Sequence, residues 1–155
     1  MRHGEKSPVV CRKLSRAAAC RRRACYLRAM SYFIVSHSAA LALLAHIPNP
    51  RFGDSESEVV SIADACALCD QEAQEFIDRY DLGIGVLDLM VPTRAGRRRT
   101  KHVATHLCSN ELPVGSFISL GHWRGELDAY VCSPELAYLQ AAHDGDAAEA
   151  IYAGY

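Results

Sequence analysis

No stretch of this sequence is apolar for long enough to cross a bilayer. The longest apolar runs, such as Ala39 to Ala45, fall far short of the roughly 20 residues that a membrane helix needs, so no membrane contact is expected. A secretory leader is not expected either. It would need an unbroken apolar stretch of roughly 7–15 residues, which the triplet Arg21-Arg22-Arg23 forbids near the N-terminus. The seven cysteines, at positions 11, 20, 25, 66, 69, 108 and 132, are odd in number and follow no repeating spacing. They imply free thiols in a reducing cytoplasm rather than a disulfide framework. A complete zinc signature is lacking too. Cys66-Ala-Leu-Cys69 is half of a site that needs four ligands. His102 and His106 have HxxxH spacing but fall on a segment that reads as a strand, where residues four apart are about 13 Å from each other. Two thiols on the apolar face of a helix are expected instead, with no metal and no cofactor.

What is present suits one compact domain. The chain has 155 residues, 50% of them hydrophobic, enough to bury a substantial core. Its net charge of −1 conceals a segregation of sign. The first 31 residues hold nine Lys or Arg against one acid, Glu5, whereas Asp54 to Asp81 hold nine acids against Arg79 alone. Arg94, Arg97, Arg98, Arg99 and Lys101 then form a basic block without an acid. Residues 1–31 read as a basic, disordered tail or an upstream extension, and residues 32–155 as a single α+β domain.

Along that domain the patterns change in order. Tyr32 to Val35 favours a strand, and Ser36 or Ser38 can cap a helix over Ser36–Ala45 that Pro48 and Pro50 stop. His37 sits between the two serines, but adjacency in sequence does not give the geometry of a catalytic pair. Val59 to Tyr80 repeats apolar residues at spacings of three and four, which predicts one long helix closed by Gly83. Ile84 to Val91 is the best candidate for a central strand. Thr93 to Thr100 is the basic loop. Strands at Lys101–Leu107, Ser116–Leu120 and Leu127–Cys132 follow, and Ser133-Pro134-Glu135 opens a helix to Ala142. The turns at Asn110–Gly115 and Gly121–Gly125 are short and favour antiparallel neighbours, since parallel strands need crossovers of about a dozen residues or more. The expected fold is therefore α+β, with a mainly antiparallel sheet of three to four strands covered by those three helices.

The order of short motifs resembles the AbiEi-like antitoxin proteins and the related actinobacterial and coriobacterial proteins in which such a module precedes a very-short-patch-repair-type endonuclease domain. The residues that carry the resemblance are Ser36, His37, Ser38, Ala39 and Ala40, then Arg97 to Arg99 with His106, Leu112 and Pro113, and Ser133, Pro134, Glu135 and Leu139. The chain departs from that family at two places. Met1 to Met30 lacks the length and periodicity of the winged helix that many members carry. No Asp…Glu-x-Lys arrangement of an endonuclease occurs, the only lysines being Lys6, Lys13 and Lys101. The resemblance implies a non-catalytic module of a defence or toxin–antitoxin-like system, whose partner is nucleic acid, a toxin or an endonuclease. The alternative is a fragment truncated before a missing endonuclease domain. Nucleic acid would be met by Arg94, Arg97, Arg98, Arg99 and Lys101, whose cations suit phosphate oxygens. For an enzyme the raw material is Ser36, His37, Asp88, His102, His106 and Glu135, and no spacing unites these residues.

Overall fold

The computed structural model describes residues 31–47, 60–125 and 127–144. The tail over residues 1–30 and the start of the long helix expected at Val59 lie outside them. A five-stranded mixed sheet runs in the order β3-β2-β1-β5-β4, with β1 at Ser31–Val35, β2 at Leu87–Val91, β3 at Val103–Leu107, β4 at Phe117–Arg124 and β5 at Leu127–Cys132. Among the described residues three helices accompany it: α1 at His37–His46, α2 at Asp70–Tyr80 and α3 at Pro134–His143. Among the described residues no helix is long and apolar enough to cross a membrane.

The sheet corrects the expectation of a mainly antiparallel one of three to four strands: it is mixed, and Ser31–Val35 enters it as a fifth strand. The hairpin β4–β5 is antiparallel, as its short turn demands, and β1–β2 is antiparallel too. But β1 pairs with β5, and β2 with β3, in parallel. The β2–β3 crossover occupies only residues 92–102 and contains no α-helix. It works because the basic loop, after a 3-10 turn at Arg94–Gly96, folds back along β3. Arg99 bridges Ala104 antiparallel, and the Thr105 N–H donates to the Arg98 carbonyl at 2.9 Å. The central strand is β1 rather than the Ile84–Val91 segment, and Phe33, Ile34 and Val35 are all fully buried. A three-residue run buried on both faces is too short to announce itself by periodicity. Strand β4 also reaches further than Leu120, passing through Gly121 to Arg124 with register shifts that mark bulges.

The long helix is broken. Its first half is a 3-10 turn at Ile62–Asp64, followed by chain without regular structure through Cys66 to Cys69. Ala65 forms a parallel bridge with Tyr32, and the Cys66 N–H donates to the Tyr32 carbonyl at 2.8 Å. The pull of β1 thus overrides a helical apolar spacing. The helix restarts at Asp70, where the Glu72 carboxylate accepts from the Cys69 N–H at 2.9 Å in a capping box. Cys66 and Cys69 are half-buried but not helical. Helix α3 follows its signal: the Ser133 hydroxyl accepts from the Leu136 N–H at 3.3 Å with Pro134 in the first turn.

Helices α1 and α3 pack on each other beside β2 and β5. Phe76 of α2 meets Phe33 of β1 edge-on, with ring centroids 5.3 Å apart, and lies 4.8 Å from the Trp123 ring. Phe76 is fully buried among these rings. Phe76→Ala should therefore cost about 3–5 kcal/mol of unfolding free energy, read from the midpoint of a urea titration at unchanged slope. A loss below about 1 kcal/mol would show that α2 is not part of the core.

Candidate functional site

The described residues hold one concentration of polar chemistry, where β1 ends and α1 begins. Ser36 is fully buried, and its N–H extends the β1–β2 ladder by donating to the Asp88 carbonyl at 2.9 Å. Ser36 takes the N-cap position of α1, yet its side chain makes no capping bond. Its hydroxyl lies 3.0 Å from Nδ1 of His37 instead. His37 enters the helix at φ +50°, a left-handed conformation sparsely populated by residues with a side chain and costing on the order of 1–3 kcal/mol. Hydrogen bonding offsets that cost. The Gln140 side-chain oxygen on α3 accepts the His37 N–H at 3.2 Å.

The His37 ring stacks on that of His106, with centroids 3.7 Å apart and planes 23° from parallel. His106 comes from β3. It stands opposite Met90, while Asp88 stands opposite Ala104, so Asp88 and His106 are diagonal neighbours on one face of the β2–β3 pair. That diagonal is bridged: Nε2 of His106 lies 2.9 Å from Oδ1 of Asp88. The other oxygen of Asp88 accepts the Ser38 hydroxyl at 2.9 Å. Burial alone would raise the Asp88 carboxyl, but the bonds from His106 and Ser38 outweigh it and hold the group below the usual carboxylate range. Asp144, just past α3, closes the cluster. Its Oδ2 lies 3.5 Å from Nε2 of His37 and 3.7 Å from Nδ1 of His106.

These side chains open into a cleft of about 510 Å³ lined by both histidines and by Met90, Arg97, Cys108 and Gln140. Of the five basic residues named from the sequence, Arg97 alone lines this cleft. Arg94, Arg97, Arg98, Arg99 and Lys101 are all exposed, but the Arg98 guanidinium donates to the Leu68 carbonyl and so fastens the loop to the segment before α2. Thr105 holds the same loop from beneath by donating to the Gly96 or Arg98 carbonyl, each 3.1 Å away. Asp70 holds its far end, accepting from the Thr100 hydroxyl and, at 3.0 Å, from the His102 N–H.

Of the residues weighed as catalytic material, the fold brings together Ser36, His37, Asp88 and His106 across three elements. His102 does not join them; its ring bonds the Gly85 carbonyl at 3.1 Å. Glu135 is exposed in the first turn of α3 and does not line the cleft. Ser36 has a histidine at hydrogen-bond distance and is itself fully buried, unlike an accessible nucleophile. Sequence reasoning misses Asp144 and Gln140, because nothing in a helix end distinguishes a residue that faces a strand 50 positions away. The sequence does contain one legible signal: Asp88 is the lone acid in the apolar run Ile84–Val91. Cys132 is walled off, its buried thiol pushed up to about 12 and packed 3.3 Å from the Met90 sulfur. Comparison with protein families, with curated proteins and with solved structures finds no match to this chain.

Burial, reinforced by the neighbouring His106, pulls the His37 imidazole down to about 4, with Asp144 and Asp88 opposing and His143 adding slightly. A histidine with a depressed folded value takes up protons more readily when unfolded. Its contribution to stability is complete above about pH 6.5, the unfolded value, and is lost as pH falls from there towards 4. In chelator-containing buffer, the melting midpoint should fall over that window, and less steeply in His37→Asn, which tolerates the left-handed backbone. Identical pH profiles for the two proteins would show that His37 titrates as an exposed imidazole.

Proposed function

We propose that this chain is a binding module that holds the phosphate backbone of nucleic acid through the β2–β3 loop, as one component of a defence or toxin–antitoxin-like system. The observation that carries the reading is the loop itself. Arg94, Arg97, Arg99 and Lys101 are exposed on a rigidly anchored crossover, and none forms an ion pair with a carboxylate among the described residues. Unpaired cations on a fixed scaffold, three of them forked guanidiniums, suit phosphate oxygens. Arg97 links the loop to the cleft, so an anionic group bound there would meet an arginine on one wall and the histidine pair on another. The order of the SHSAA, Arg-rich and SPEL motifs, which resembles that of AbiEi-like proteins, supports the system proposed for the module.

The test separates loop charge from loop structure. Arg98 is left in place, because its bond to Leu68 serves the fold. Replacing Arg94, Arg97, Arg99 and Lys101 with Gln should leave the melting curve within about 0.5 kcal/mol of wild type. Affinity for duplex DNA should fall at low salt, and the log–log salt slope should flatten by about one unit per phosphate no longer neutralised. An unchanged slope in the folded variant, or no wild-type binding at low salt, would remove the nucleic-acid reading and leave a toxin or endonuclease protein as the ligand.

A further inference from the structure

We propose that His37, His106 and Asp144 form a binding site for one divalent transition ion of the zinc class. The inference stands independently of the nucleic-acid reading. One donor atom from each of the three residues lies within 4.8 Å of the other two. The approaches of Asp144 Oδ2 to His37 Nε2 at 3.5 Å and to His106 Nδ1 at 3.7 Å are close to the ligand–ligand separation of about 3.3 Å that tetrahedral coordination at roughly 2.0–2.1 Å sets. The third edge, between the two imidazole nitrogens, is bounded at 4.8 Å, and the rings, stacked 23° from parallel, would turn so that their lone pairs converge on the ion.

The supporting residues make the arrangement specific. A histidine that ligates through one nitrogen needs the other nitrogen held by an acceptor, which sets the tautomer and the ring's aim. Both rings meet that requirement. The Nε2–H of His106 donates to Asp88, which leaves the Nδ1 lone pair directed towards Asp144. The Nδ1–H of His37 can donate to the buried Ser36 hydroxyl, which leaves the Nε2 lone pair for the ion. Ser38 in turn fixes the second oxygen of Asp88. Two neutral imidazoles and a carboxylate select zinc, cobalt or nickel over magnesium or calcium, which prefer all-oxygen shells. Three protein donors leave at least one position for water or another ligand, and the cleft is where that position opens. The three ligands come from the start of α1, from β3 and from the end of α3, so the ion would also tie these elements together.

The test uses the full chain, stripped with chelator and titrated with Co(II) and then with zinc chloride. Cobalt should give a visible ligand-field absorption at one equivalent, which zinc abolishes. Asp144→Asn and His106→Gln should each lose that absorption. Asp88→Asn should weaken affinity by about 10–100-fold, the effect of removing an outer partner. Cys66→Ser/Cys69→Ser should retain the absorption, which separates this site from the cysteine thiols. Asp144 is about half exposed, its side chain 48% accessible, so Asp144→Asn keeps the fold and decides the matter even where His106→Gln does not. No ligand-field band in wild type, or the same band in wild type and Asp144→Asn, overturns the proposal.

Discussion

Strand β1 is the constraint on which the rest depends. It has only five residues, and its middle is buried on both faces, so its neighbours must supply ladders on both edges and apolar cover above and below. Strand β5 pairs in parallel along the whole strand, and β2 closes the other edge antiparallel. Even the stretch before α2 is drawn in, through the Ala65 bridge to Tyr32. Because β1 and β5 run in parallel, both end at the same rim, and both pass within one residue into a helix, α1 after Ser36 and α3 after Ser133. Strand β2 runs the opposite way, so it begins near that rim, carrying Asp88 to the point where β1 runs out. The polar cluster follows from these chain directions.

Local signals explain which parts of this were legible. Ser133-Pro134-Glu135 and the serines around His37 act over three or four residues, and the helices they imply lie within a residue or two of α3 and α1. The strand-forming runs at Tyr32, Leu87, Val103, Phe117 and Leu127 were legible for the same reason. Pairing direction was not, because it depends on which runs meet in space. A crossover without a helix is too short for parallel neighbours unless the chain turns back on itself, which the Arg99–Ala104 bridge achieves. The helix expected from Val59 failed where a tertiary hydrogen bond to Tyr32 outweighed an apolar periodicity that was correct from Ala73 to Tyr80.

The site was less legible than the fold. Spacing in the chain sets His106 beside His102, four residues away, and strand geometry rules that pairing out. Its true neighbour, His37, is 69 positions earlier. No spacing rule connects a helix entry with a strand so far along the chain; only the adjacency of β1, β2 and β3 does. Asp88 carried the clearest hint, since a half-buried acid in an apolar strand needs partners to offset its desolvation. Its two oxygens accept from Ser38 and His106.

The basic loop and the histidine cluster rest on different physics, though they share a cleft. The loop's cations, apart from Arg98 with its bond to Leu68, are exposed and free of carboxylate partners among the described residues; they act at long range and are screened by salt. The cluster is half-buried and short-ranged, and its groups are held by particular partners at fixed distances. Arg97 is where they touch. A cation on the cleft wall opposes a second cation at the histidines unless an anion lies between them. An ion seated by His37, His106 and Asp144 would then favour an anionic ligand, which bridges ion and guanidinium, over a neutral one. The same electrostatics makes Asp144 more than a third ligand: its carboxylate lines the same cleft as Arg97 and would offset part of the ion's charge there.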